Sequence, residues 1–152
     1  MGRLKRLRTL DLGHNALTSL PAAIGELESL SDFLYLHDNR LKELPASMAK
    51  LTKLRYLNLS NNEFTVLPAL ITELGALREL KLRNNRLHTL PDSIGLLKEL
   101  RQLDLRGNPL TTLPASIADL PKLDKLDLRW TPSLAAPAWP PLLEARGGLV
   151  YR

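Results

Sequence analysis

Leucines recur in pairs one residue apart: Leu10 and Leu12, Leu34 and Leu36, Leu57 and Leu59, Leu80 and Leu82, Leu103 and Leu105, Leu126 and Leu128. Such alternation predicts short strands whose leucines face a core and whose intervening residues face the other way. Three residues after each pair stands Asn15, Asn39, Asn62, Asn85 or Asn108, and in the last case Thr131. The first step, from 15 to 39, is 24 residues, and those that follow are 23. Downstream of each Asn come an apolar residue at the second position, Leu at the fifth, Pro at the sixth (Pro21, Pro45, Pro68, Pro91, Pro114), then Ile24, Met48, Ile71, Ile94 and Ile117; after Thr131 the proline recurs as Pro137. A fixed period of this length signals a solenoid, in which each turn buries its apolar face against its neighbours.

The predicted strands lie near 9–13, 33–37, 56–60, 79–83, 102–106 and 125–129, paired in parallel, about six turns in a single domain over 1–152. Each buried Asn, with two amide donors and a carbonyl acceptor, is expected to bond backbone groups of its own and the adjacent turn. Each Pro fixes φ near the helical value and suits the first position of a short helical or 3-10 turn. The repeated string L-x-x-L-x-L-x-x-N-x-L-x-x-L-P-x-x-I-x-x-L resembles the leucine-rich repeat family in its 23-residue class, over nearly the whole chain. That resemblance implies an α/β solenoid with a parallel sheet on a concave face and short helical or 3-10 turns on the convex face. Members of the family act as interaction scaffolds, including the target-recognition parts of bacterial effector ubiquitin ligases and of Ras-pathway scaffolds.

Two departures from the repeat carry expectations. The longer first step places an extra residue within Leu30-Ser31-Asp32-Phe33-Leu34, where a bulge would re-aim Phe33. Residues 132–152 read as a C-terminal cap, with Trp139 and Leu143 over the end leucines and a turn at Gly147-Gly148. The first turn has no comparable cap, so its leucines are expected either to pair with another copy or partner, or to continue into a longer protein.

Residues between the leucines fall into columns on the sheet face. Phe33, Tyr35, His37 and Tyr56 cluster in turns two and three, followed by Asn58; Lys81, Arg83, Arg106 and Arg129 dominate turns four to six. The aromatic residues suit anchors for a protein partner, because Tyr combines large rigid area with a polar tip. The alternative for them is plain cross-strand packing on an exposed sheet. The arginine column invites acidic groups, unless Glu79, Asp104 and Asp127 in the adjoining columns neutralise it. The whole face spans very roughly 450 Å², below the ~800 Å² per partner of a standard interface, so a tight complex would also use flanking loops, for example Arg40, Lys42, Glu63 and Arg86, or the free N-terminal end.

Composition narrows the chemistry. The 152 residues are 44% hydrophobic but only 5% aromatic, so leucine must build the core. No cysteine is present, which removes disulfides, thiolate metal sites and cysteine nucleophiles. A net charge of +5 spread over the chain disfavours nucleic acid without a localised basic patch. His14, His37 and His88 occupy three different columns, so no metal pair is expected among them. Neither a phosphate-cradling loop nor a nucleophile elbow occurs, so no catalytic residue and no cofactor are expected. No signal peptide or membrane-spanning run is visible, so a cytoplasmic location is expected. The expected function is non-enzymatic binding of another protein through the concave face. The alternatives are polyanion binding through the arginine column and a fragment or engineered array without activity of its own.

Overall fold

A computed structural model describes residue 4, residues 6–135 and residues 140–152. Strands β1 (Thr9–Asp11), β2 (Phe33–Tyr35), β3 (Tyr56–Asn58), β4 (Glu79–Lys81), β5 (Gln102–Asp104), β6 (Lys125–Asp127) and β7 (Leu149–Tyr151) form one sheet in chain order. All six pairings are parallel, and the register aligns Thr9, Phe33, Tyr56, Glu79, Gln102, Lys125 and Leu149 in one row. The strands are three residues long rather than five. Backbone bonds continue beyond them, from Leu36 N to Asn58 O and from Asp38 N to Ser60 O, but the chain then bends away.

Opposite the sheet lie five 3-10 turns, Ala22–Glu26, Ala46–Lys50, Ala69–Glu73, Asp92–Leu96 and Ala115–Asp119. The repeated proline precedes each of them instead of opening it: Pro21 has φ −68° and ψ 145°, an extended residue whose carbonyl accepts the bond from Ile24 N. Its fixed φ serves this entry equally well, and the absent amide would have had no partner within the turn. Ile24, Met48, Ile71, Ile94 and Ile117 are fully buried, and with the strand leucines they form one continuous core. Among the described residues no helix is long and apolar enough to cross a membrane.

The asparagines lock successive turns together. Asn62 donates to Leu36 O at 2.9 Å, Leu59 O at 3.1 Å and Ser60 O at 3.2 Å, and accepts from Leu41 N at 2.9 Å. Asn39, Asn85 and Asn108 repeat the arrangement. Each bond adds about 1 kcal/mol, and a buried group left without its partner costs about 1–3 kcal/mol, so the ladder guards against loss more than it adds. Asn15, which is exposed, bonds only within its own turn among the described residues, to Leu12 O and Gly13 O. Among the described residues Thr131 keeps a single bond of the set, to Leu128 O.

The extra residue of the first step is absorbed before β2. Ser31 N and Asp32 N both donate to Arg8 O, and the next turn bonds Ser31 O and Asp32 O separately. Phe33 is therefore not re-aimed; it stays in register between Thr9 and Tyr56. At the other end, helix α1 (Pro140–Ala145) carries Leu143 onto the core, 1% exposed, and a turn at Gly147 with φ 83° leads into β7. Trp139 and Pro137 lie outside the described residues. β7 was not foreseen, because Leu149-Val150-Tyr151 has neither the leucine pair nor the asparagine of the repeat.

Candidate functional site

The alternation of β2 and β3 puts Leu34 and Leu57 inward and leaves Phe33, Tyr35 and Tyr56 on the sheet face. Their rings meet: Phe33 and Tyr35 stack with centroids 5.9 Å apart, and Tyr56 lies 5.4 Å from Phe33 and 5.3 Å from Tyr35. Phe33 remains 41% exposed. Burial, and then the electrostatic influence of Tyr35, Glu79 and Asp104, raises the Tyr56 pKa, outweighing a hydrogen bond with Asn58, so its hydroxyl stays a donor at neutral pH. His37 joins the cluster edge-on to Tyr35 at 5.9 Å. Asn58 sits in the same row as Tyr35 and Lys81, and its Oδ1 accepts from Ser60 N at 3.0 Å.

The histidine expectation needs correcting. His14 and His37 occupy different columns, yet their rings are 4.7 Å apart, and together with Asp38 they bring three ligand atoms within 4.8 Å of one another. Adjacent columns of adjacent turns meet, so separate columns do not keep residues apart. His88 stands outside this group.

The arginine column divides into paired and unpaired members. Arg106 forks onto Asp104, Nε to Oδ1 at 2.9 Å and a terminal nitrogen to Oδ2 at 2.6 Å, and reaches Asp127 Oδ2 at 3.5 Å. Arg129 grips Asp127 in the same way, at 3.0 and 2.7 Å. Asp104 and Asp127 are buried. Burial alone would raise the Asp127 pKa, but the bonds from the Arg129 side chain and backbone and the charges of Arg106 and Arg129 hold it below the usual carboxylate range. The Asp104 bond and the nearby carboxylates raise the Arg106 pKa against a smaller opposing effect of burial. These two arginines are neutralised in place. Lys81 is held between Glu79 at 3.5 Å and Gln102 at 3.3 Å.

Arg83 differs. Among the described residues no carboxylate pairs with it, and its Nε is buried without a hydrogen-bond partner. What it does meet is Trp130, an exposed indole with the Arg83 guanidinium 5.5 Å from its ring and those of Arg106 and Arg129 at 5.9 Å each. Tyr151 on β7 lies 5.3 Å from both Arg129 and Lys125. Trp130 and Tyr151 were missed in the sequence. The signal for Trp130 was there, since it precedes Thr131 in the column of His14, Asp38, Asn61, Asn84 and Gly107. Of the flanking loop residues, Lys42 and Arg86 both turn to Glu63, at 3.9 and 3.4 Å.

A leucine-rich repeat region model matches residues 1–85, and a leucine rich repeat model matches residues 75–132. A search of curated proteins found no match. Among solved structures, the LRR protein LIC12759 of Leptospira interrogans is 36% identical with a TM-score of 0.88, over 99% of this chain and 38% of that one. The leucine-rich repeat domain of the type III effector XopL is 32% identical with a TM-score of 0.78, over 88% of this chain and 48% of that one. The ectodomain of the Arabidopsis thaliana membrane receptor kinase GASSHO1/SCHENGEN3, solved in complex with CASPARIAN STRIP INTEGRITY FACTOR 2, is 33% identical with a TM-score of 0.72, over 83% of this chain and 16% of that one. The chain thus spans less than half the length of each of these. With its repeat, its ladder and its sheet all in agreement with those matches, the chain belongs to the leucine-rich repeat family.

Proposed function

We propose that this chain binds another protein through the sheet face, with Phe33, Tyr35, His37 and Tyr56 as the apolar anchor and Arg83, beside Trp130, as the receptor for a partner carboxylate. The fold commonly serves as a protein–protein interaction module, and its members are generally non-enzymatic scaffolds. The receptor kinase ectodomain among its neighbours was solved with a bound partner. The observation that carries the reading is the three-ring cluster of Phe33, Tyr35 and Tyr56 on a face where the core needs no aromatic residue. Rigid aromatic area of this kind is what interface centres are built from. Asn58 and Lys81 lie between the two halves, in the row that joins Tyr35 to Asp104.

Polyanion binding is the weaker reading, because Arg106 and Arg129 are already held by buried aspartates and offer no continuous cationic track. Beyond those aspartates, they meet the Trp130 ring beside Arg83. Affinity capture from the native lysate, comparing the wild type with a Tyr35→Ala, Tyr56→Ala double variant and with Arg83→Ala, tests the assignment. A shared partner should be lost from both variants. Equal recovery by all three rejects this face, and capture that survives the double variant but fails steeply with salt favours the polyanion.

A further inference from the structure

We propose that His14, His37 and Asp38 form a site for one zinc-class divalent cation at the edge of the sheet face. His14 Nδ1 lies 3.4 Å, and His37 Nε2 3.8 Å, from Asp38 Oδ2. Ligands on a tetrahedral ion at bond lengths of about 2.0–2.1 Å stand about 3.3 Å from one another, so the first separation fits, while the second and the remaining one between the two histidines, within 4.8 Å, close by rotation of the side chains, chiefly the exposed His14. Two imidazoles and one carboxylate supply one negative charge and two borderline-soft nitrogens, a set suited to zinc, cobalt or nickel and not to calcium or magnesium.

The surroundings hold these groups in place. His14 N donates to His37 O at 3.0 Å, and left-handed φ values of 54° at both His14 and Asp38 set their side chains in one column. Asn61 Nδ2 donates to Asp38 Oδ1 at 2.8 Å, and Asn84 in turn donates to Asn61 Oδ1 at 2.8 Å. One carboxylate oxygen is thereby anchored and the other left for the histidines, an arrangement that orients a ligating carboxylate. His37 is fixed by packing instead: a Cβ on residue 13 would fall 2.5 Å from its Cε1, so only Gly13 admits the ring. Its Nδ1 is buried without a hydrogen-bond partner, so the outer bond that usually orients a ligating imidazole is lacking and the packing over Gly13 alone sets the ring.

A simple histidine–aspartate ion pair would share this geometry but would not bind a metal. The test is titration of metal-free protein with Co²⁺, read by visible absorption, and with Zn²⁺, read by calorimetry. One ion per chain is expected, with binding weakened at least tenfold by His14→Gly and by His37→Phe, severalfold by Asn61→Gly, and not at all by His88→Ala. Glycine tolerates the φ of residues 14 and 61, and Phe keeps a ring over Gly13; a cooperative melt confirms that each variant is folded. Should His37→Phe unfold, His14→Gly decides alone, since that side chain is 76% exposed. No saturable binding, or binding unchanged in His14→Gly, overturns the proposal.

Discussion

Immediately before the ladder position of each turn stands a residue of positive φ: 54° at His14 and Asp38, 55° at Asn61, 52° at Asn84, 65° at Gly107 and 61° at Trp130. Glycine takes this region freely, and asparagine, aspartate and histidine are enriched in it, but a bulky side chain there costs about 1–2 kcal/mol. Trp130 is exposed, so core packing does not explain its place. Its contacts with three guanidiniums return about 0.5–1 kcal/mol each at exposed sites, reduced because the three cations share one ring. Gain and strain nearly balance. Trp130→Asn, which restores the residue used at positions 61 and 84, should therefore leave the urea midpoint unchanged or raise stability by about 1 kcal/mol, while weakening partner capture. A loss above about 1 kcal/mol would mark the indole as a structural brace instead.

Between neighbouring strands the register explains what could be read in advance. A strict period fixes which residues share a row, so the aromatic cluster and the arginine column followed from counting along the chain. What counting could not give was contact between different columns, as for His14 and His37, or across the left-handed bend, as for Trp130. Nor did it show β7, whose backbone extends the sheet without the leucine pair. It also left open whether the arginines were free. The β5–β6 pair answers that, and it carries a pH signature. Asp127 has its pKa lowered in the folded chain, so its contribution is fully present above the ordinary carboxylate pKa and is lost as pH falls through the lower, folded value. Stability should therefore hold between pH 7 and about pH 5 and decline below about pH 4. Asp127→Asn should flatten that acid limb and cost about 1–3 kcal/mol at pH 7, since a buried partner of two arginines is withdrawn. Denaturant melts of both proteins from pH 2.5 to 7 measure it, and parallel acid limbs would show that the pair is not what titrates.

At the scale of the molecule, stability in a stack of turns is a sum of turn and neighbour terms, so its ends need not match its middle. At one end Leu143 is buried and β7 adds a strand to the sheet, whereas Leu10 and Leu12 in the first turn are only partly buried and Leu4 is 52% exposed. Equivalent amides allow a controlled comparison: Leu12 N bonds Tyr35 O at 2.9 Å, and Leu82 N bonds Asp104 O at 2.8 Å. The bonds are alike, so any difference in hydrogen exchange reports stacking and not bond strength. The Leu12 and His14 amides should exchange at least tenfold faster than those of Leu59 and Leu82, by opening of the first turn alone. Uniform exchange would mean that the stack opens only as a whole. Self-association through this end would slow the same two amides as protein concentration rises and leave Leu82 untouched. An ion held between His14 and His37 would clip the first turn to the second and slow them at constant protein concentration, in proportion to its occupancy. Exchange at Leu12 thus separates an open end, a paired end and a metal-clipped end, because the first ties that amide to no concentration, the second to that of the protein and the third to that of the metal.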